Sequence, residues 1–415
     1  LFHALAVNAL NALVGNVGEP GGIFFTPQLT PTPGVKAAPV VGHWPPPDAG
    51  PALDKLSAKV LLIDGVNPVF GSPGSSNVRE ALEKVPFIVS FGSFLDETTS
   101  ALADLILPDH SFLESWVDSL PESGSMVAVA NAAGPAMHPL HQTRAMPDVL
   151  LDVAGRLKTP LNPPLPWKTF DEMLKASFAD LPAPPPSGSG SASSSASADA
   201  WSAAQKQGGW WGDAPRSRLA TPVSDARVPA VTGDVRTTRT AAVGRSVKFE
   251  EPRFDGDAAQ FPYHLLPYAS PAFYDGSAAH LPWLQEMPDP LTSAMWSSWV
   301  EINPRTAEKL NVQTGDVVEV VSSRGALRVP AVLSPGIAPD VIAIPVGQGH
   351  TSFTRYAAGR GVNVIGILAP MIEAETGALA WAATRVRVAR AADADGQLIL
   401  FAGEIHERPH EKDVR

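Results

Sequence analysis

Apolar and polar positions alternate on two different scales along this chain. Between residues 58 and 108 the apolar runs are short and separated by helix-forming stretches. The run at 60–63 predicts a short buried strand leading into a turn. "NVREALEKV" predicts a helix and "PFIVSFGSF" the next strand. "TTSALADLILP" predicts a helix or turn ending at a third short strand. Strands alternating with short helices predict a parallel, doubly wound sheet. Residues 147–180 add a helical finish. Upstream, "LFHALAVNALNALVGNVGEPGG" reads as a helix already under way, stopped by Gly-Glu-Pro-Gly-Gly.

From about residue 299 the period shortens. A strand at 299–302 is followed by an Asn-Pro helix start and a short helix at 305–310. A Gly-Asp turn at 315 and 316 leads into alternating valines. A Ser-Arg-Gly turn, another strand, a Pro-Gly turn and a last strand follow. Valine-rich strands punctuated by turns predict a compact β-barrel.

Composition refines this picture. A chain of 415 residues suggests two or three domains, and its 44% apolar content allows a sizeable core. The 42 prolines and 34 glycines argue for long irregular connections rather than a helical bundle. The stretch at 23–58 is proline-rich. "PAPPPSGSGSASSSASADA" is a low-complexity linker, and "WSAAQKQGGWWG" after it carries tryptophans expected to pack onto a neighbouring surface. The division expected is therefore 1–180 for the α/β domain, 181–262 for the linker and extended segment, and 263–415 for the barrel with its tail. The proline-rich stretch at 24–51 and the tryptophan-bearing segment at 201–262 are the candidate contact surfaces, since alone they bury little apolar area against their entropy cost.

The net charge of -11 argues against a nucleic-acid binder. No run approaches the ~18 apolar residues of a membrane span. With zero cysteines, no disulfide, zinc–thiolate site or iron–sulfur ligation can come from these residues. The chain opens without Met or a signal peptide, so a piece of a longer protein is expected.

Two stretches are candidates for chemistry. "GQGHTSFTRYAAGRGVN", at 347–363, holds four glycines, two arginines, a histidine, a tyrosine and two side-chain amides, with no acid. That set suits a backbone wrapped around something polar or anionic. Glycines allow close approach and positive φ. Arg355 and Arg360 are suited to hold a phosphate or carboxylate bidentately. The alternative is a loop packed between domains, its arginines paired with Asp96, Glu97 or backbone carbonyls. "GVNPVFGSPG", at 65–74, lies between a strand and a helix, where α/β folds bind ligands and helix amides take anions. It is not a G-x-G-x-x-G fingerprint, and a plain connection is an equal reading. Asp96, Glu97, Asp104, Asp109 and Glu114 lack the spacing of metal ligands and are expected to cap helices. No G-x-S-x-G occurs.

The order of these motifs carries a resemblance. "SWVEINPRTAEKLNVQTGDVVEVVSSRGALRVPAVLSPGIAPDVIAIPVGQGH" resembles the molybdopterin-dinucleotide-binding domain of the molybdenum/tungsten oxidoreductase superfamily, a six-stranded double-psi barrel. "KVLLIDGVNPVFGSPGSSNVREALEKVPFIVSFGSFLDETTSALADLILPDHSFLESW" resembles the Rossmann-like third domain of the same catalytic subunits. The fold implied is α/β plus β, a Rossmann-like parallel sheet followed by the barrel. Within the superfamily, "HLPWLQEMPDPLTSAMWSSWVEINP" with the 347–363 loop is similar to the fused B subunit of alternative complex III. That resemblance implies a scaffold and electron-transfer subunit of a membrane-bound quinol-oxidising complex that has lost its molybdenum cofactor. It implies iron–sulfur clusters in an adjoining domain, quinol-oxidising membrane partners, and membrane association through partners on the periplasmic face. The residues it implies for a pterin site, retained or vestigial, are Gly65, Asn67, Gly347, Gln348, Gly349, His350, Arg355, Arg360 and Asn363. The alternative it leaves open is the C-terminal part of an active bis-pterin oxidoreductase, whose metal ligand lies upstream of this region.

Overall fold

In the computed structural model the described residues are 2–26, 58–179 except 75, 76, 122, 162 and 163, then 181, 196–212, 251–373, 378–391 and 398–401. Most of the proline-rich stretch and of the 181–262 segment lies outside them. The chain divides into two compact units, one of residues 1–40 and 110–251, the other of residues 41–109 and 252–415.

The second unit starts with the parallel sheet. Strands β1 (Leu61–Ile63), β2 (Ile88–Ser90) and β3 (Leu105–Ile106) pair in that order, all parallel. Ile63, Val85 and Ile88 form its core, with Leu102 packed against them. The helix Val78–Leu82 leads into β2, and Glu97–Leu102 separates β2 from β3. This is the strand–helix alternation that the sequence predicts.

The first unit holds an antiparallel sheet of β4 (Val117–Ser119), β5 (Val129–Ala133) and β6 (Gly209–Trp211). A helix at Ala196–Gln207 runs directly into β6. These two elements fall where the sequence suggests only linker and loop. The reason is tertiary. Phe178, Ala204 and Trp210 are buried together with Ala130 and Ala132, and Trp201 packs against them. Trp201 also meets Phe178 edge to face at 5.3 Å. Trp201 and Trp210 pack down, as expected of them, while Trp211 stays exposed.

The barrel then follows in the second unit. It comprises β7 (Tyr263–Tyr268), β9 (Val300–Ile302), β10 (Val317–Val321), β11 (Ala326–Leu333), β12 (Val341–Pro345) and β13 (Arg385–Arg390), while β8 (Ala294–Met295) and β14 (Ile399–Leu400) form a separate pair. Around the closed barrel the order is β10-β11-β9-β12-β7-β13. The pairs β11/β9 and β12/β7 are parallel and the other four antiparallel.

The two-residue period shows which side chains go inside. Val318 and Val320 are fully buried, while Glu319 between them faces out and meets Arg328 at 3.3 Å. Leu265, Val300, Ile302, Val329, Ile342, Ile344 and Val386 complete the core at 0–1% exposure. The helix Pro304–Leu310 is capped by Asn303, whose side chain accepts from the Arg305 amide and donates to the Ile337 carbonyl at 2.6 Å. It ends at Asn311 in the left-handed region. The expected barrel is present, but strands β7 and β13, which close it, were not evident in the sequence.

Candidate functional site

The second unit brings both candidate stretches together around one carboxylate. Asp96 caps the helix Glu97–Leu102 by accepting from the Thr99 amide at 2.7 Å. Capping thus falls to Asp96 and leaves Glu97 free to turn to the loop. Its carboxylate accepts from the Asn67 side-chain amide at 2.7 Å and from the Thr351 and Ser352 backbone amides at 2.7 and 3.1 Å. His350 Nδ1 approaches it at 3.1 Å. Burial raises the Glu97 pKa, but hydrogen bonds from His350, Asn67 and Ser352 outweigh it and hold the carboxyl down at about 2. Four donors converging on one carboxylate resemble the way a backbone nest takes an anion. Here the anion belongs to the chain.

His350 is buried and stacked on Phe70, ring centroids 3.7 Å apart and nearly parallel. Its Nε2 lies 3.2 Å from the Gly276 carbonyl. Both ring nitrogens therefore face oxygen atoms, the Glu97 carboxylate and the Gly276 carbonyl. The pair is an interior one, with 1% and 9% side-chain exposure for His350 and Glu97.

Each remaining side-chain amide of the predicted set also hydrogen-bonds inside the unit. The Asn67 carbonyl accepts from the Thr98 hydroxyl at 2.7 Å, and that hydroxyl accepts from the Val69 amide at 3.0 Å. Gln348 donates to Gln285 at 2.7 Å, and Gln285 donates to the Ala279 carbonyl at 2.8 Å. Asn363 donates to the Phe70 carbonyl at 2.9 Å and accepts from the Ile365 amide at 3.0 Å. The 65–74 turn and the 347–363 loop are thus tied to each other.

The glycines tell the same story. A Cβ on Gly349 would lie 2.0 Å from the Asn363 nitrogen, and one on Gly347 would lie 2.8 Å from Phe273 Cβ. Both have positive φ, +92° and +112°. Their small size lets the loop pack against protein. Of the glycines in the 65–74 and 347–363 stretches, Gly65 and Gly359 have positive φ with open space beside them. As arranged, Asn67, Gln348, His350 and Asn363 all make side-chain hydrogen bonds to other residues of the unit.

The arginines depart from the expected pairing. Neither meets Asp96 or Glu97, because His350 and backbone amides already fill the Glu97 carboxylate. Arg355 is exposed and donates to the Tyr356 hydroxyl at 2.6 Å. Arg360 lies over the Trp296 ring at 4.5 Å. Beside the loop an open cleft of about 530 Å³ is lined by Ser93, Phe94, Ser100, Phe353, Thr354 and Arg355. Phe353 and Thr354, at φ +87° and +69°, are held in the left-handed region on its wall. Among the described residues no group of His, Asp and Glu could hold a metal ion. The acids not in the loop network act locally: Asp104 accepts from the Ile88 amide and Glu114 from the Ser111 and Leu140 amides.

Sequence reasoning missed Gln285, Phe70, Thr98 and Gly276. None carries a motif. A hint for Glu97 was available, since the second of two adjacent acids at a helix start is not needed for the cap.

Comparison with known proteins agrees with the architecture. Residues 284–375 match the Molydopterin dinucleotide binding domain family. The chain is 28% identical over 396 residues to the menaquinone reductase molybdopterin-binding-like subunit of Nitratidesulfovibrio vulgaris, covering 92% of this chain and 50% of that one. It is 24% identical over 438 residues to the arsenate respiratory reductase molybdopterin-containing subunit of Shewanella sp. strain ANA-3, covering 86% and 51%. The chain thus spans about half the length of these relatives. Acetylene hydratase from Pelobacter acetylenicus shares the fold, with a TM-score of 0.59 and 16% identity over 83% of this chain and 46% of the other. The six-stranded barrel, the parallel sheet and these matches together place the chain in the molybdopterin oxidoreductase superfamily.

Proposed function

We propose that this chain is part of a scaffold and electron-transfer subunit in a membrane-bound quinol-oxidising respiratory complex of the alternative complex III type. In this reading the pterin site has been converted into an internal clamp, and the chain itself is not catalytic. The observation that carries it is the Glu97 carboxylate seated among the donors of the 347–363 loop. An active site keeps polar groups free for its ligand, whereas here they satisfy one another. The relative from Nitratidesulfovibrio is described as molybdopterin-binding-like, which agrees with a retained fold.

Electron transfer then belongs to iron–sulfur clusters in an adjoining domain, because this chain has no cysteine. The chain reaches the membrane through its partners, on the periplasmic face. No described helix is long and apolar enough to cross a membrane. Exposed apolar side chains support partner contact. Val7, Leu10, Leu13 and Val14 at the first helix are 57–82% exposed.

A second reading is the C-terminal part of an active bis-pterin oxidoreductase, favoured by the family match over 284–375. When bound there, the cofactor would supply oxygen-atom or electron transfer. The Gly65 turn, Gly359 and the arginines are the groups left to hold it. Elemental analysis of the native protein for molybdenum, tungsten and iron, with a fluorescence assay for released pterin, separates the two. Iron without molybdenum, tungsten or pterin is expected. Stoichiometric molybdenum or tungsten with pterin would replace the first reading by the second.

A further inference from the structure

The chain has four tyrosines and ten tryptophans, and no cysteine. Its aromatic side chains are therefore among those that give up an electron most readily. Among the described residues Tyr268 is the tyrosine whose hydroxyl meets a carboxylate. It donates to Glu301 Oε1 at 2.5 Å, at the short, charge-assisted end of O–H···O⁻ bonds. Tyr356 instead accepts from Arg355, and Tyr274 is 69% exposed.

The barrel sets up this pair. Tyr268 ends β7 and Glu301 is the middle residue of β9, with β12 between them. Pro345 pairs with Tyr268 and Ala343 with Glu301. Val300 and Ile302 belong to the barrel core, so Glu301 turns to the other face, where it is still buried. A buried carboxylate is costly without a hydrogen bond, and the Tyr268 hydroxyl supplies one. Asp289 is the other acid acting on the phenol. Its carboxylate already accepts from the Leu291 and Thr292 amides and from the Thr292 hydroxyl. Glu301 is thus the base in place. Burial, and then Glu301, push the phenol above its ordinary pKa. It keeps its proton at neutral pH, and an electron leaves it readily only if the proton leaves too.

Trp299 is buried beside the same hydroxyl. Its sealed Nε1–H faces the phenol without closing to a hydrogen bond of ordinary geometry. Trp299 lines one cleft together with Trp296, which is half-buried and carries the Arg360 guanidinium over its ring at 4.5 Å. A cation over an aromatic face disfavours positive charge on that ring. An electron lost from Trp296 is therefore replaced from further inside.

We propose that Tyr268 and Glu301 form a one-electron redox site, reached through Trp296 and Trp299, that takes up the oxidising equivalent of a peroxyl radical at the surface. The peroxyl radical takes an electron from Trp296 and becomes a peroxide anion. Trp299 refills Trp296, and Tyr268 refills Trp299. As its electron leaves, the Tyr268 O–H bond breaks and the proton crosses to Glu301 Oε1. The products in the protein are a neutral tyrosyl radical and a carboxylic acid. An enediol reductant such as ascorbate returns the electron, and Glu301 returns the proton.

The test oxidises the full chain with ruthenium(III) tris-bipyridine generated by flash and quench. The radical is read by transient absorption and electron paramagnetic resonance. The wild-type chain is expected to give a neutral tyrosyl radical. Its formation rate should be the same in mildly acidic and mildly alkaline buffer, because Glu301 and not water receives the proton. Tyr268→Phe should lose that signal. Glu301→Gln keeps the shape without the base and should slow formation by about 100-fold or more. Trp299→Phe should lower the yield at Tyr268 and leave the form of the signal unchanged. Melting temperatures identify the folded variants, and the two wild-type readings need no variant. Absence of the tyrosyl signal in wild type, or a wild-type rate that climbs with pH, overturns the proposal. The same signal in folded Tyr268→Phe, or an unchanged rate in folded Glu301→Gln, overturns it as well.

Discussion

The acid that matters most here is Glu97, and its effect has a sign. A folded-state pKa of about 2, below the ordinary 4.5, means that its stabilisation is fully present above the unfolded value. That stability fades as the pH falls from about 4.5 through about 2. Allowing for partial solvation, the contribution at neutral pH is roughly 2 kcal/mol. Replacing Glu97 with Gln is expected to lower the stability in urea by about that amount at pH 7. The wild-type advantage should shrink progressively in melts below pH 4.5. An advantage that persists unchanged at pH 2.5 would mean that the carboxylate's charge is not what the donors recognise. Gly349 supplies a second residue-scale test. Gly349→Ala places a methyl against the Asn363 nitrogen at a φ of +92°, so a loss of roughly 2 kcal/mol or more in chemical denaturation is expected. Gly359, also at positive φ (+72°) but with open space, should lose less. Equal losses would show that backbone strain, not packing, sets the cost. The residue types of this site were legible in the sequence. Their partners were not: Glu97 and His350 stand 253 positions apart, and no local rule brings them together.

Among the elements, the barrel was legible where period-2 valines and Gly-containing turns coincide, as in β10 and β11. Strands β7 and β13 were not, for identifiable reasons. β7 reads Tyr-His-Leu-Leu-Pro-Tyr, with a proline inside, and β13 alternates arginine with small apolar residues. Each is a strand because a barrel partner supplies the hydrogen bonds. β13 closes the ring by pairing with both β10 and β7. The core these strands enclose can be tested through Ile344, fully buried on β12. Ile344→Ala is expected to cost about 2–5 kcal/mol in denaturant melts. Leu291→Ala, at 89% exposure, should stay within about 0.5 kcal/mol of wild type. Comparable losses at the two positions would contradict the assignment of the core. The 196–207 helix makes the complementary point. Its alanines and serines look like linker, and its order comes from Trp201 and Ala204 packing against the β5 side chains.

For the whole molecule, composition limits the choices without making one. A net charge of -11 and the absence of cysteine exclude classes of function, but do not distinguish an active enzyme from its scaffold descendant. The scaffold reading predicts that the native polypeptide is extracted with the membrane fraction in a complex that oxidises quinol and contains iron. On native gels it should run far above the 43.6 kDa of this chain. A free, membrane-independent species carrying all of the quinol-oxidising activity would end that reading.

The sequence by itself determined the strand–helix alternation at 58–108, the valine strands of the barrel and the glycine-rich loop. Those are local preferences, set by side-chain period and by the few residues that tolerate tight turns. Only the tertiary structure decided that residues 41–109 pack with the barrel, that Glu97 accepts from the loop's amides, and that Arg360 lies on Trp296. A hydrogen bond between distant residues depends on where the whole chain places them, and on what each gives up in water. That balance is settled only when both partners are buried together.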